Sequence, residues 1–479
     1  MQHIIDEKEV VLVVGTGLSG VGAVHLLHRM GAQIILLEQN ADAKEQDIRN
    51  KLEPDDRACG TVVIGELPQE LRERITLAVL SPAVPMDIPL VEDLRGRGIP
   101  IFSEIELAYC AEKGTVLGIT GTNGKTTTTT LTGEIMKAYT ARLGAELPEG
   151  AEKPEVFVVG NIGFSYAAVA DRTHEKSFSV AEISSFQLEG IHAFRPAVSA
   201  ILNITPDHLN RHGTMENYTA IKERITLNQT RDDVCVLNYE DAALRDFAQV
   251  CPASVVFFSS AHTLENGYFL RGETICRARD GKVTELMNIH DMHLVGICNV
   301  ENVMAAMAVT EAAGVPMDLI LEVIRDFPPV EHRIEYSGTV RGVDYYNDSK
   351  ATNPDAAIQG IRAMSRPTIL IGGGYDKKNT YDEWIEAFDG KVRELVLIGQ
   401  TKEAIAECAR RHGFTAITFW DTFEECLQHC SEIAREGEAV LLAPACASWG
   451  MFPNYEERGR QFKEFVKRIG AEGCGTSAD

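Results

Sequence analysis

The sequence predicts an α/β protein of three domains, each built on a mostly parallel, doubly wound sheet. Its 479 residues suffice for about three domains of roughly 150 residues each. Short apolar runs alternate with helical stretches along the whole chain, a pattern typical of parallel strands covered by helices on both faces. We therefore expect a Rossmann-like domain over residues 1–108, a P-loop-type domain over 109–329 and a second Rossmann-like domain over 330–479.

The predicted strands form three groups, and Phe327-Pro-Pro-Val330 is the break before the last group. A helix is expected over Val300–Ala313. The strands, in order, are Val10–Val14, Ile34–Leu37, Val62–Ile64 and Leu77–Leu80, then Thr115–Ile119, Phe157–Val159, Phe178–Ala181 and Val198–Ile204, then Val343–Tyr346, Thr368–Ile371, Glu394–Ile398 and Ala439–Leu442.

Composition narrows the function classes. With 46 basic and 70 acidic residues the net charge is −24, which argues against non-specific nucleic-acid binding. The absence of a long apolar run and of a signal-peptide pattern predicts a cytoplasmic protein without membrane insertion. The 11 cysteines include no C-x-x-C pair, which favours reduced thiols over a disulfide framework or a zinc site.

Two glycine-rich turns directly follow predicted strands. The turn Gly15–Gly20 has the G-x-G-x-x-G spacing, and Glu38 ends the next strand, as in a site for a nucleotide diphosphate and its ribose. The alternative is a plain tight turn. The turn Gly121–Thr127 ends in Gly-Lys-Thr before a helix and predicts a phosphate loop, although the strict P-loop spacing fails because Ile119 stands where a glycine is usual.

Further polar residues follow other strands of the second and third groups. Glu182 and His208 suit a Mg²⁺ ion beside the phosphate loop, whereas the spacing of Lys222 predicts a surface lysine. Asn299 and Asn302 share a helix face and either recognise a purine or cap the helix. In the third group the clusters at 347–353, 372–377 and 443–448, with His332-Arg333 before them, predict a site for a small anion.

Four motifs together resemble the Mur ligase family of cell-wall enzymes. The sequence at 118–127, Gly-Ile-Thr-Gly-Thr-Asn-Gly-Lys-Thr-Thr, is shared with folylpolyglutamate synthetases as well. Those at 182–189 (Glu-Ile-Ser-Ser-Phe-Gln-Leu-Glu), 347–353 (Asn-Asp-Ser-Lys-Ala-Thr-Asn) and 444–448 (Pro-Ala-Cys-Ala-Ser) resemble the branch of the family that adds D-glutamate. The resemblance implies a monomeric, ATP-dependent ligase for peptidoglycan precursors. It would join D-glutamate to UDP-N-acetylmuramoyl-L-alanine through an acyl phosphate.

The resemblance also implies roles for individual residues, with Lys125, His208 and Lys222 catalytic. ATP would be bound by Gly121, Thr122, Asn123, Gly124, Lys125, Thr126, Thr127, Asn299, Asn302, Arg333 and Asp348. Two Mg²⁺ ions would be held by Thr126, Glu182, His208 and a carbamylated Lys222. The UDP-sugar would contact Gly15, Gly17, Leu18, Ser19, Glu38, Ser81 and Asn161, and D-glutamate would contact Thr352, Lys377, Ser448 and Tyr455. Lys350 would also bind substrate, by supplying positive charge for the anionic groups.

One position departs from the family pattern, and one assignment has two candidate residues. The family usually has an acid two residues after the serine of its last motif, where this chain has Gly450, and Lys378 is an alternative to Lys377. Three other functions remain open. They are a Mur-type or folylpolyglutamate-type ligase for another amino acid, an NAD-dependent oxidoreductase built on the first glycine turn, and a P-loop nucleotide switch.

Overall fold

The first sheet has five parallel strands, in the order Thr61–Ile64, Gln33–Glu38, Val10–Val14, Leu77–Leu80, Ile101–Ser103; a mostly parallel sheet was predicted, but not this order. In the computed structural model, which describes residues 5–148 and 150–474, every strand of this sheet except β5 was predicted. Its elements are β1 (Val10–Val14), α1 (Leu18–Arg29), β2 (Gln33–Glu38), α2 (Glu45–Lys51), β3 (Thr61–Ile64), α3 (Gln69–Arg74), β4 (Leu77–Leu80), α4 (Pro89–Gly96), β5 (Ile101–Ser103) and α5 (Glu104–Ala111).

The second sheet has nine strands in the order β14-β13-β12-β11-β10-β9-β6-β8-β7. Strands β6 to β12 are parallel, and β13 and β14 add an antiparallel edge. Its elements are β6 (Thr115–Thr120), α6 (Lys125–Ala145), β7 (Val156–Gly160), β8 (Phe178–Glu182), α7 (Ser185–Leu188), β9 (Val198–Ile201), α8 (Leu209–His212), α9 (Met215–Glu223), β10 (Val234–Asn238), α10 (Ala242–Phe247), β11 (Ser254–Ser259), β12 (Gly267–Arg271), β13 (Thr274–Arg279), β14 (Lys282–Asn288), α11 (Ile297–Ala312) and α12 (Met317–Asp326).

The third sheet has six strands in the order β15-β16-β20-β17-β18-β19, parallel except for the edge strand β15. A mostly parallel α/β fold for each sheet is therefore confirmed. The elements are β15 (Glu335–Val340), β16 (Val343–Asn347), α13 (Pro354–Ala363), β17 (Thr368–Gly372), α14 (Asp382–Glu386), β18 (Val392–Leu397), α15 (Lys402–Arg411), β19 (Ile417–Phe419), α16 (Phe423–Ile433), β20 (Ala439–Leu442) and α17 (Tyr455–Cys474).

The described residues form two compact units. One contains the chain up to Ile289 with Glu301–Arg325, and the other contains His290–Val300 and the chain from Asp326 onward. A single apolar core joins the first two sheets, because it holds side chains of β1 and α1 together with side chains of β8 and β9. Helix α5, which spans the predicted boundary at 108/109, belongs to this core, and the three-domain boundaries stay predictions.

Most predicted strands differ from the structure by one or two residues at an end, and two predicted elements differ by three. The strand predicted over Val198–Ile204 ends at Ile201, and the helix predicted from Val300 begins at Ile297. The strand ends early because the backbone after it turns to bond the phosphate loop, as described below. No helix among the described residues is long and apolar enough to cross a membrane.

Candidate active site

The Gly-Lys-Thr turn lies between β6 and α6, as a phosphate loop requires. Gly124 caps α6 with a φ of +82°, and a Cβ there would lie 2.2 Å from Oδ1 of Asn302, so only glycine fits. The ammonium of Lys125 donates hydrogen bonds to the carbonyls of Gly121 (2.9 Å) and Thr122 (2.8 Å). The loop therefore holds its lysine folded back on itself, close to where phosphates would bind at the start of the helix.

Asn203, which sequence reasoning missed, fixes the backbone of this loop. Its Oδ1 accepts hydrogen bonds from the amides of Thr122 (3.1 Å) and Asn123 (2.8 Å), and its Nδ2 donates to the Asn123 carbonyl (3.1 Å). The hydroxyl of Tyr218 lies 3.2 Å from that of Thr122. The sequence does offer one signal for Asn203. It lies just beyond β9, the strand beside β6, and therefore at the same edge of the sheet as the phosphate loop.

Lys222 is buried against the same loop and is not the surface lysine that its spacing predicts. Its side chain is 1% exposed, and Nζ donates to the Gly121 carbonyl at 2.7 Å. Burial lowers the pKa of this amine well below its usual range, and the nearby charge of Lys125 lowers it further. The site therefore contains an amine that is readily neutral, and a neutral amine is the form that reacts with electrophiles.

Glu182 ends β8, opposite Ile119 of β6 and Gly160, the last residue of β7. One carboxylate oxygen accepts a hydrogen bond from Nδ2 of Asn161 at 2.8 Å. The other, Oε2, is buried and has no hydrogen-bond partner among the residues that the structure describes. A buried carboxylate oxygen without a donor is costly unless a cation balances it, so this side chain fits a Mg²⁺ ligand.

The remaining predicted metal residues are His208, just before α8, and Thr126, in the first turn of α6. His208 has a φ of +54° just before α8, and its ring lies 4.8 Å from that of Phe186, with Nε2 3.5 Å from a carboxylate oxygen of Asp207. Thr126 is buried in the first turn of α6 beside Thr127. Oxygen and imidazole donors of this kind suit a divalent cation beside a phosphate loop.

The first glycine turn is closely packed against Ser81, the residue that follows β4. Gly15 has a φ of +98°, and a Cβ there would lie 2.8 Å from Oγ of Ser81. That hydroxyl is buried without a hydrogen-bond partner in the described structure, so it can serve a ligand. Gly17 has open space beside it, and Leu18 is exposed. Ser19, also in this turn, is partly exposed.

Glu38 contacts the protein through both carboxylate oxygens. One accepts a hydrogen bond from the hydroxyl of Thr16, and the other accepts from the amide of Asn40 at 3.0 Å. The Thr16 bond contributes most to lowering the pKa of Glu38 below its usual range. Thr16, another residue that sequence reasoning missed, therefore fixes the acid beside the glycine turn.

In the second compact unit, Asp348 follows β16 and is buried. Its Oδ1 accepts a hydrogen bond from the Ile334 amide at 3.3 Å. Burial raises the pKa of Asp348 to about 7, although the positive charges of Arg333 and Arg458 oppose the shift. Nε of Arg333 is itself buried without a partner within the described part of the chain, so it can donate a hydrogen bond to a ligand.

Arg458, also missed from the sequence, joins two of the predicted anion-binding loops. The guanidinium is almost fully buried and donates to the carbonyl (2.8 Å) and hydroxyl (3.0 Å) of Ser349 and to the Cys446 carbonyl (3.3 Å). Burial lowers its pKa to about 10. The loops at 347–353 and 444–448 are thus tied by one side chain, which the sequence presents as an ordinary helical arginine.

The predicted D-glutamate residues and Lys350 lie on these loops and on the start of α17. Nζ of Lys350 lies 5.3 Å from the ring centroid of Tyr455, and Nζ of Lys377 lies 5.6 Å from that of Trp449. Ser448 is buried. The amide of Thr352 donates to the Lys350 carbonyl (2.8 Å), that of Lys378 donates to Asp376 (2.6 Å), and Gly450 has open space beside it.

The two predicted adenine residues make different contacts. Nδ2 of Asn299 donates to the Val295 carbonyl at 2.8 Å, and Oδ1 of Asn302 accepts from the hydroxyl of Thr128 at 3.3 Å. Asn299 thus bonds the chain that precedes its helix, whereas Asn302 packs on the phosphate loop. Their use in recognising a purine stays a prediction.

Comparison with known proteins supplies the family. Residues 119–310 match the Mur ligase middle domain, and residues 332–446 match the family described as Mur ligase, glutamate ligase domain. The chain is 51% identical to a protein of Lachnospira eligens over 97% of its own length and 99% of that protein's. The chain belongs to the Mur ligase family.

The Mur ligase relatives share one name, and solved structures share the fold. The proteins of Lachnospira eligens and Lachnoclostridium phytofermentans, the latter 51% identical over 96% of this chain and 98% of its own, are both named UDP-N-acetylmuramoylalanine--D-glutamate ligase. The structure of MurF ligase from Thermotoga maritima in complex with ADP superposes on this structure with a TM-score of 0.57 at 16% sequence identity. The match covers 98% of this chain and 97% of the MurF chain. The fold of this Mur ligase is therefore shared with that structure.

Proposed function

We propose that this Mur ligase joins D-glutamate to UDP-N-acetylmuramoyl-L-alanine at the expense of ATP, in peptidoglycan precursor synthesis. The observation that carries the proposal is the convergence of Lys125 and Lys222 on one carbonyl of the phosphate loop, that of Gly121. The D-glutamate specificity is supported by the shared name of relatives that are 51% identical over nearly the whole chain.

The reaction follows from what the phosphate loop can stabilise. The γ-phosphoryl group of ATP is transferred to the substrate carboxylate, which gives an acyl phosphate and ADP. The amine of D-glutamate then attacks the carbonyl carbon, and the tetrahedral intermediate loses phosphate and a proton to form the amide. Lys125 leaves the Gly121 and Thr122 carbonyls to bind the phosphoryl oxygens, and its charge stabilises the transfer.

Glu182, His208 and Thr126 would hold Mg²⁺, and the buried oxygen of Glu182 is the feature that fits the ion best. When bound, Mg²⁺ neutralises phosphate charge. We further propose that Lys222 is carbamylated: its buried, readily neutral amine attacks CO₂ and loses a proton, which gives a carbamate. A carbamate is a carboxylate-like ligand, so this change converts a repelled cation into an additional metal ligand.

Substrate binding is assigned by residue. The turn at Gly15, with Ser81 and Glu38, would bind the UDP group rather than NAD, and the buried, unpartnered Ser81 hydroxyl supports this. In the second unit, Arg333 and Asp348 would bind the nucleoside part of ATP. D-glutamate would be bound by Thr352, Lys377, Ser448 and Tyr455, and Lys350 would supply positive charge for the anionic groups. We propose that the enzyme acts as a monomer in the cytoplasm, where ATP is available.

The proposal is tested by phosphate release from ATP and Mg²⁺ with UDP-N-acetylmuramoyl-L-alanine, with and without D-glutamate. We expect release only when both substrates are present, and none with L-glutamate or L-lysine. Release with another amino acid would favour a different Mur-type or folylpolyglutamate-type ligase. Release without either substrate would favour a nucleotide switch, and binding of NADH without any release would favour an oxidoreductase.

A further inference from the structure

Two pairs of side chains of types that can ligate a metal lie among the elements of the first sheet, and the members of each pair are three residues apart. His25 and His28 are three residues apart on α1, and Asp56 and Cys59 are three residues apart in the turn before β3. Residues at this spacing point to the same side of a helix or tight turn. None of the four contributes to the phosphate loop or to the first glycine turn.

The fold brings the two pairs together around one buried carboxylate. Asp56 is 2% exposed, and its two oxygens lie 2.8 Å from Nδ1 of His25 and 2.7 Å from Nδ1 of His28. A ring nitrogen of His28, a carboxylate oxygen of Asp56 and Sγ of Cys59 all lie within 4.8 Å of one another. Cys59 is partly exposed, so an ion can reach the cluster from solvent.

We propose that His25, His28, Asp56 and Cys59 bind a Zn²⁺ ion. Ligand atoms of a tetrahedral zinc site lie about 3.5 Å apart, given Zn–N and Zn–S bonds of roughly 2.0 and 2.3 Å. His28, Asp56 and Cys59 therefore need only small movements, whereas His25, which contacts Asp56 but lies outside that group, has to turn toward the other ligands. Two imidazoles, a carboxylate and a thiolate together suit zinc, whereas a thiolate is a poor ligand for Mg²⁺, whose sites are built mainly from oxygen atoms. Binding releases the thiol proton of Cys59.

The position of the cluster indicates a structural ion. Helix α1 begins at the glycine turn and runs back along the sheet for 12 residues, about 18 Å, and both histidines lie in its second half. The ion would therefore lie toward the opposite end of the sheet from the turn. It would join α1 to the segment before β3, and any ion that binds only the folded state raises the free energy of unfolding.

A second cluster of similar composition provides the matched control. Asp382, Cys408 and His412 also place ligand atoms within 4.8 Å of one another. There, however, the guanidinium of Arg411 lies 3.2 Å from the Asp382 carboxylate and already supplies the positive charge that a metal would bring. No such ion pair with Arg or Lys occupies Asp56 among the described residues, so the first cluster is the better zinc site.

The test is a Co²⁺ titration of the full chain, purified free of metal and saturated with Mg²⁺. Cobalt replaces zinc and gives a near-ultraviolet thiolate charge-transfer band, which the oxygen and nitrogen ligands of the ATP site cannot produce. We expect this band at one equivalent in the wild type, and its loss in Cys59→Ser with affinity lowered more than about tenfold. Cys408→Ser should titrate like the wild type.

His28→Gln keeps the thiol and replaces a partly exposed side chain, so it tests the site even if Cys59→Ser folds poorly. It should keep the charge-transfer band but shift the visible cobalt bands and weaken binding about tenfold or more. Three results would overturn the proposal. These are no cobalt band in the wild type, a band that Cys59→Ser leaves intact, or a band lost only in Cys408→Ser. The first would leave Asp56 as a hydrogen-bonded tether alone.

Discussion

Replacing Asp348 by asparagine should make the second unit more stable at neutral and alkaline pH while impairing catalysis. Burial raises the pKa of this carboxyl from 3.8 to about 7, so the folded state binds its proton more tightly than the unfolded state does. Between these two values a rise in pH removes the proton from the unfolded chain first, and stability falls. Asparagine is nearly the same shape and does not ionise.

The size of the effect follows from linkage. One pKa unit is worth about 1.36 kcal/mol, so a shift from 3.8 to about 7 corresponds to about 4 kcal/mol over the full titration. Between about pH 5 and about pH 8 the wild type should lose roughly 2 to 3 kcal/mol that Asp348→Asn keeps. The carbonyl of asparagine can still accept the hydrogen bond from the Ile334 amide.

Urea denaturation followed by tryptophan fluorescence measures this directly. All three tryptophans, Trp384, Trp420 and Trp449, belong to the second unit, so their emission reports that unit alone. The quantity of interest is the change in unfolding free energy with pH, compared between variant and wild type. His332, whose pKa is lowered by burial, titrates in both proteins and cancels in the difference.

A variant whose stability follows the same pH curve as the wild type would refute the reasoning, because Asp348 would then not be a buried acid of raised pKa. The reasoning would also be refuted if Asp348→Asn were less stable than the wild type by the same amount at about pH 8 as at about pH 5. The catalytic half of the prediction is checked separately, as an increase in the KM for ATP.

Three further changes test the loops. Lys222→Ala should abolish ligase activity, and added bicarbonate should not restore it. Wild type stripped of CO₂ should lose activity and regain it when bicarbonate is added. Full activity in the variant would refute the proposed carbamate. Asn203→Ala removes the side-chain acceptor of the Thr122 and Asn123 amides, although the Thr122 amide keeps its bond to the Asn203 main-chain carbonyl. It should raise the KM for ATP about tenfold without a similar change for the UDP-sugar. Arg458→Met leaves two buried carbonyls without donors and should cost about 2 to 5 kcal/mol by the same fluorescence assay, with Arg458→Lys intermediate.

The sheets were predictable because buried parallel strands leave a clear pattern in the sequence. Val10–Val14, Leu77–Leu80 and Ala439–Leu442 have the same bounds in the structure as in the prediction, since each is a run of fully buried apolar residues. Strands β5, β10, β11, β12, β15 and β19 and the antiparallel edge β13–β14 were not predicted. The residues of β13 and β14 alternate polar and apolar or are largely exposed, so no continuous apolar run marks them. By contrast, β10 (VCVLN) and β11 (SVVFFS) are apolar runs of the predicted kind that were overlooked.

Site residues could be predicted where the local sequence is unusual, as at a glycine-rich turn or an acid that ends an apolar strand. They could not be predicted where a side chain is buried by residues far away in the sequence. A glycine before Lys125 and an acid at the end of β8 are visible in sequence. Lys222 looks like a surface lysine because nothing local shows that α9 turns it toward the phosphate loop. Arg458 looks like a helical surface arginine for the same reason, since its acceptors are 109 and 12 residues away.

The residues missed from the sequence share one physical role. Thr16, Asn203 and Arg458 each hold a loop that carries predicted ligand-binding residues, through hydrogen bonds to a carboxylate, to amides or to carbonyls. Loops at the ends of strands have few neighbours of their own, and a loop must be fixed before it can position a phosphate or carboxylate. Loss of such a residue should therefore raise the KM of the substrate held by its own loop and leave the other substrates nearly unaffected. Asn203→Ala tests this separation most directly, because the UDP-sugar turn lies beyond a different sheet.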